Sequence, residues 1–150
     1  MRKIRILIAD DIEETINVIK KILSLEKENI EIVGEAHNGE EVLRLIPKVK
    51  PDIVLMDINM PVLNGLEATE RISMEYPQVM VIIMSVQAES EYLKKAMFHG
   101  AKEYIIKPFN YDALIETITT TYEKYGERQL RFAGGVEGIR NAEIMAFFSS

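Results

Sequence analysis

Asp10 and Asp11 follow the apolar run Ile6-Leu7-Ile8-Ala9, Asp57 follows Ile53-Val54-Leu55-Met56, Ser85 closes a run from Val79 to Met84, and Lys107 follows Tyr104-Ile105-Ile106. If these runs lie side by side, the polar residues that end them share one rim. Carboxylates gathered there repel one another, and burying them unpaired is costly. A divalent cation resolves the repulsion, and hard oxygen ligands with positions left for water and phosphate oxygens suit Mg²⁺. Lys107 adds a point charge suited to an anion, and Ser85 adds a hydroxyl able to hydrogen-bond to one. The set is suited to phosphoryl transfer: a carboxylate nucleophile, a metal offsetting charge on the transferring group, and fixed donors for its equatorial oxygens. Asp57 ends its run alone and is the expected nucleophile, while the adjacent Asp10 and Asp11 are expected to hold the metal.

The segments that must position these residues alternate between two patterns. Short runs rich in β-branched residues, at Ile4 to Ala9, Ile30 to Val33, Ile53 to Met56, Val79 to Met84 and Tyr104 to Ile106, read as strands. Several are continuously apolar, as expected of strands buried on both faces of a parallel sheet. Between them, helical spacing is carried by Ile12, Ile16, Ile19 and Leu23, by Val42, Leu45 and Ile46 in a helix expected to end before Pro47, by Leu66 and Ile72, and by Leu93, Ala96 and Met97. Leu114, Ile118, Tyr122 and Tyr125 form the stripe of a fifth helix. Asn38-Gly39, with Glu40 and Glu41 after it, and Asn110-Tyr111-Asp112 are helix starts. Right-handed crossovers wind such a chain into an α/β doubly wound five-stranded parallel sheet. Ligands of that architecture bind outside the carboxyl ends of the strands, where Asp10, Asp11, Asp57, Ser85 and Lys107 are expected to meet.

Each residue also has a plain structural explanation when taken singly. Asp11 is placed to cap the first helix, Asp57 to turn the chain, Ser85 to end a strand and Lys107 to sit in solvent. Their coincidence at four strand ends favours the joint reading. His37 and His99 match no metal-ligand spacing and read as solvent-facing, and Met56, Met84 and Met97 read as core filler.

The segments Ile6-Leu7-Ile8-Ala9-Asp10-Asp11, Asp57-Ile58-Asn59-Met60-Pro61-Val62-Leu63-Asn64-Gly65, Met84-Ser85 and Ala101-Lys102-Glu103-Tyr104-Ile105-Ile106-Lys107-Pro108-Phe109 carry a resemblance. Residues 2 to about 125 resemble the receiver domain of bacterial two-component response regulators, a (βα)5 flavodoxin-like fold. The resemblance implies that Asp57 is the phosphoacceptor, that Asp11 ligates Mg²⁺ directly and Asp10 largely through water, and that the backbone carbonyl of Asn59 completes the metal contacts. It also implies that Ser85 and Lys107 hold the phosphoryl oxygens, that Tyr104 changes position on phosphorylation, and that the Lys107-Pro108 bond is cis. One departure is Val86, where the family most often has a small residue; its bulk is expected to narrow access to the phosphate. Asn59 and Gln87 flank the site and are expected to tune the lifetime of the acyl phosphate.

The 150 residues, 47% hydrophobic and 28% charged, fit one globular domain with a short extension and exclude a disordered chain. Lys and Arg number 18 against 24 Asp and Glu, a net charge of −6, which argues against a nucleic-acid-binding surface. The absence of cysteine excludes disulfides and thiolate chemistry. The apolar run ending at Asp10 is too short for a signal peptide or a membrane span, so a cytoplasmic protein is expected. Residues 1–125 are expected to form the receiver domain and residues 126–150 a linker and either the truncated start of an output domain or an arm that packs on the receiver or on a partner chain. In that tail, Ala133-Gly134-Gly135-Val136-Glu137-Gly138 leads to the apolar run Ile144-Met145-Ala146-Phe147-Phe148, which resembles the first strand of MinD/ParA-like ATPases. The glycine stretch lacks a phosphate-binding lysine, so ATP binding by this chain is not expected.

The expected function is a phosphorylation-controlled switch, phosphorylated at Asp57 by a histidine kinase, a phosphotransfer protein or a small phosphodonor in a Mg²⁺-dependent reaction. It would regulate an attached output domain or a partner protein, with self-association into a homodimer an open alternative, and would catalyse only its own phosphorylation and dephosphorylation. A competing reading is a receiver-like fold used solely for docking, which the intact acidic, serine and lysine set disfavours. An aspartyl-nucleophile hydrolase is disfavoured by Asn59, which stands where such enzymes usually have a second aspartate.

Overall fold

Isoleucine- and valine-rich runs form the strands of this protein, and the amphipathic stretches between them form the helices. The computed structural model describes residues 2–86 and 90–126. In chain order these are β1 (Ile4–Ala9), α1 (Glu13–Ser24), β2 (Ile30–Ala36), α2 (Gly39–Val49), β3 (Ile53–Asp57), α3 (Gly65–Glu75), β4 (Met80–Val86), α4 (Ser90–Phe98), β5 (Glu103–Lys107) and α5 (Tyr111–Thr121). A π-helical turn, Tyr122–Gly126, follows α5. The strands make one sheet in the order β2-β1-β3-β4-β5, and every neighbouring pair is parallel. This is the expected doubly wound α/β fold. The order reverses between β1 and β3, so the connections leaving these two strands diverge and open a crevice at their carboxyl ends.

Alternation along each strand sends successive side chains to opposite cores. Leu7, Ala9, Val54, Met56, Val81 and Ile83 pack with Val42, Ile46, Ile72 and Ala96 of α2, α3 and α4. Ile6, Ile8, Ile53, Leu55, Ile82 and Met84 pack on the other face with Ile16, Ile19 and Leu23 of α1 and Leu114 and Ile118 of α5. Burial of each of the Val, Leu, Ile and Met side chains contributes about 1.5–3 kcal/mol, which makes β1, β3 and β4 a rigid base for whatever stands at their ends. Met56 and Met84 are fully buried, and Met97 packs at the edge of the first core.

Four local expectations change. Helix α2 continues past Pro47 to Val49. Buried Val42, Leu43 and Ile46 anchor its inner face while Pro47 lies exposed in the last turn, so packing outweighs the hydrogen bond the proline cannot make. Strand β2 runs on to Ala36, because the ladder skips a residue between Ile6↔Ile32 and Leu7↔Gly34, a bulge that hides the continuation from pattern reading. Asp11 does not cap α1. Ile12 occupies the N-cap position without a side-chain bond, and Asp10 Oδ1 accepts from the Ile12 N–H at 2.9 Å. Tyr122 and Tyr125 lie beyond α5, in the π-helical turn, yet still pack against the α1/α5 core. The tail segments read above, including Ile144–Phe148, lie outside the described residues, as does Gln87.

Candidate phosphoryl-transfer site

The carboxyl ends of β1, β3, β4 and β5 bring the sequence-derived residues to one rim. One ligand oxygen from each of Asp10, Asp11 and Asp57 lies within 4.8 Å of the others, a group able to hold a metal ion. Asp10 is fully buried, Asp57 is buried and Asp11 is exposed, so the cluster reaches from the sheet end to solvent. The donor set, all hard oxygens and open on the Asp11 side, fits Mg²⁺ with retained water. Asn59, also exposed, follows Asp57 in the β3–α3 loop.

Lys107 spans the carboxylates. Its Nζ donates to Asp57 Oδ1 at 2.9 Å and to Asp10 Oδ2 at 3.0 Å. The Lys107-Pro108 peptide is cis, as the resemblance implied. Burial pushes the Asp57 carboxyl up from 3.8 to about 6; the Lys107 hydrogen bond opposes this, and the nearby Asp10 and Asp11 charges reinforce it. Burial acts to lower the Lys107 ammonium, but hydrogen bonds to Asp57 and Asp10 outweigh it and hold the group above its usual value.

Ser85 is fully buried and, among the described residues, its Oγ has no hydrogen-bond partner. A buried hydroxyl in that condition is rare, and at the end of β4 it is available to an incoming oxygen. Val86 pairs with Lys107 across the β4/β5 ladder and is 44% exposed, at the edge of the rim. Tyr104 is not at the rim. Ser85 pairs with Ile106, whereas Tyr104 pairs with Ile83, two residues earlier and on the same face of the sheet. The tyrosine thus sits about 7 Å back along the strand from the serine, and it is part-exposed.

The β3–α3 loop is held by features that a search for reactive side chains passes over. A Cβ on Gly65 would lie 2.1 Å from the Asp57 carbonyl oxygen, and the Gly65 N–H bonds Ile58 O at 2.8 Å. Only glycine allows α3 to start against the backbone of Asp57. Gly39 repeats the arrangement at the start of α2: its Cβ would lie 2.4 Å from Leu63 O, which its N–H instead bonds at 2.8 Å. In both cases the preceding asparagine, Asn64 or Asn38, caps the helix through its side chain. The repeated Asn-Gly pair was the available signal. Between Pro61 and Leu63 the chain makes a γ-turn, with Val62 at φ 69° and Leu63 N–H bonding Pro61 O at 2.7 Å. His37 is not simply solvent-facing: it meets Glu13 and Glu41. His99 lies near Glu70.

Comparison with known proteins agrees with this geometry. The family model of the response regulator receiver domain matches residues 6–119. The chain is 40% identical over 116 residues to the transcriptional regulatory protein DegU of Brevibacillus brevis, covering 77% of this chain and 49% of that protein. It thus spans about half the length of that relative. It is 37% identical to the chemotaxis protein CheY of Listeria monocytogenes, covering 77% of this chain and 95% of CheY. Among solved structures, the response regulator domain of Thermotoga maritima CheB superposes with a TM-score of 0.71 at 30% identity, over 81% of this chain and 96% of that one. Among the described residues no helix is long and apolar enough to cross a membrane. The sheet order, the acidic rim and these matches together place the chain in the response regulator receiver family of two-component signalling.

Proposed function

We propose that this chain is a phosphorylation-controlled switch whose phosphoacceptor is Asp57. The observation that carries the reading is the convergence of three carboxylate side chains within 4.8 Å, with Lys107 Nζ 2.9 Å from Asp57. Asp57 Oδ attacks phosphorus, the bond to the donor's leaving group breaks, and an aspartyl phosphate forms. Asp57 titrates at about 6 without metal, so at neutral pH its carboxylate is available to attack. Lys107 and Ser85 supply donors to the phosphoryl oxygens. Asp10, Asp11, Asp57 and the backbone carbonyl of Asn59 would hold Mg²⁺, which supplies charge neutralisation of the transferring group. Asn59, beside the rim, tunes the lifetime of the product, and Val86, at its edge, narrows access to the phosphate.

The natural donor is a sensor histidine kinase or a phosphotransfer protein, and the site of action is cytoplasmic. Residues 1–125 act as the receiver unit. Output is read at α4, β5 and α5. The phosphoryl group draws the Ser85 hydroxyl towards the rim, and Tyr104, behind it on the same face, takes up the vacated space, a shift between two packings. Intact-mass measurement after incubation with acetyl phosphate and Mg²⁺ should show one added phosphoryl group on the wild type and none on Asp57→Asn. Equal labelling of the two proteins would remove Asp57 from this role.

A further inference from the structure

The connection from β2 to α2 touches both loops that frame the acidic rim. Ala36 O accepts from the Asp10 N–H at 3.0 Å, and the Gly39 N–H donates to Leu63 O at 2.8 Å in the loop that follows Asp57. Between these two contacts lies His37. Its Nε2 is 3.0 Å from Glu13 Oε2 in the first turn of α1, and its Nδ1 is 3.3 Å from Glu41 Oε1 in the first turn of α2. The His37 backbone N–H donates to the same Glu41 oxygen at 3.0 Å.

Both ring nitrogens therefore face carboxylate oxygens, which only accept. A neutral imidazole carries one N–H and satisfies one of them; the imidazolium donates to both. We propose that residues 37 and 38 form a strap between the two loops that frame the phosphorylation site, latched to α1 by protonated His37, so that the positioning of Asp10 and Asp11 responds to pH. The proposal rests on the reading of that rim as the phosphorylation site and adds a control to it.

The charges around the ring agree. Glu13 from α1 and Glu41 from α2 touch it, Asp11 lies two residues before Glu13, Glu40 adjoins Glu41, and Arg44 acts on Glu41. The Leu63-Asn64 side contributes no charge. The nearby Lys20 and Glu35 are paired with each other at 2.7 Å. The Glu13 hydrogen bond holds the imidazole above its ordinary 6.5, against a smaller opposing effect of burial, and Glu41 adds to the rise. Glu41 moves reciprocally, held below its ordinary value by the His37 backbone N–H and, less strongly, by the imidazole. Because the folded-state value is raised, the latch is fully engaged below pH 6.5 and is lost as the pH passes above the raised value.

The test is an NMR titration of the full 150-residue chain carrying Asp57→Asn, which removes the titration of Asp57 near 6 from the same window. The His37 ring should titrate above 6.5, and Glu13→Gln should lower its midpoint by about half a pH unit, the size expected of a part-exposed ion pair. The Asp10, Asp11 and Leu63 amide signals should follow the His37 midpoint and cease to follow it in His37→Gln. A midpoint at or below 6.5 that ignores Glu13→Gln, or rim amides that do not track the ring, would overturn the strap. No phosphodonor enters the experiment, so its failure is distinct from failure of Asp57 to accept phosphate.

Discussion

Replacing Asp57 by asparagine should stabilise the metal-free protein at neutral pH. The Asp57 carboxyl titrates at about 6 in the fold against 3.8 for the ordinary group, so the folded state prefers the neutral form. At 1.36 kcal/mol per pH unit, ionising it at pH 7.5 costs at most about 3 kcal/mol, and water reaching the open rim reduces this to about 1–2 kcal/mol. Asparagine keeps an oxygen for Lys107, whose second carboxylate partner, Asp10, is untouched. At about 4 °C per kcal/mol, the variant should melt about 4–8 °C higher in EDTA at pH 7.5. A group raised in the fold contributes stability that is complete below its unfolded value and is lost as pH rises through the folded value. The gap between the two proteins should therefore open between pH 4 and 7 and be nearly closed at pH 4. Mg²⁺ should narrow it by binding the wild type better. Thermal melts across that pH range, with EDTA and with Mg²⁺, make the measurement. An asparagine variant that melts lower at pH 7.5 without metal, or a gap independent of pH, would refute the claim that burial and carboxylate repulsion dominate at Asp57.

Asp11→Ala should abolish Mg²⁺ binding in an NMR titration while shifting the thermal melt by less than about 1 kcal/mol equivalent, because Asp11 is exposed and only relieves repulsion when removed. Gly65→Ala should destabilise by about 1–3 kcal/mol in urea unfolding, since its methyl must displace the Asp57 carbonyl. Ser85→Ala should leave urea stability unchanged within about 1 kcal/mol, because the deleted hydroxyl bonds nothing described, yet should slow phosphorylation by acetyl phosphate, followed by phosphoprotein gel shift, because a donor to the phosphoryl oxygens is lost. With Mg²⁺ and beryllofluoride, amide shift changes should extend from Asp57 through Ser85 to Tyr104 and residues 90–115, and changes confined to the metal ligands would remove the switch.

What could be read along the chain was whatever adjacent residues encode. Apolar runs ending in Asp10, Asp57, Ser85 and Lys107 state both that a strand is buried and where it stops, so the residues of the rim were nameable before any coordinate. Asn38-Gly39 and Asn110 announce helix starts for the same reason, because a cap bonds an amide three residues on. The tertiary structure alone decided matters that depend on residues distant in sequence. Pro47 stays helical because Val42 and Ile46 are pinned against the sheet. Asp10, not Asp11, serves the start of α1 because Asp10 is the buried member of the pair and Asp11 faces solvent. Lys107 meets Asp10 across 97 positions, and Tyr104 falls behind Ser85 on the same face, because strand register fixes which residues share a level. His37 carries no recognisable spacing, and its two glutamates are brought to it by α1 and α2 packing on opposite faces of the sheet and starting at the same carboxyl edge.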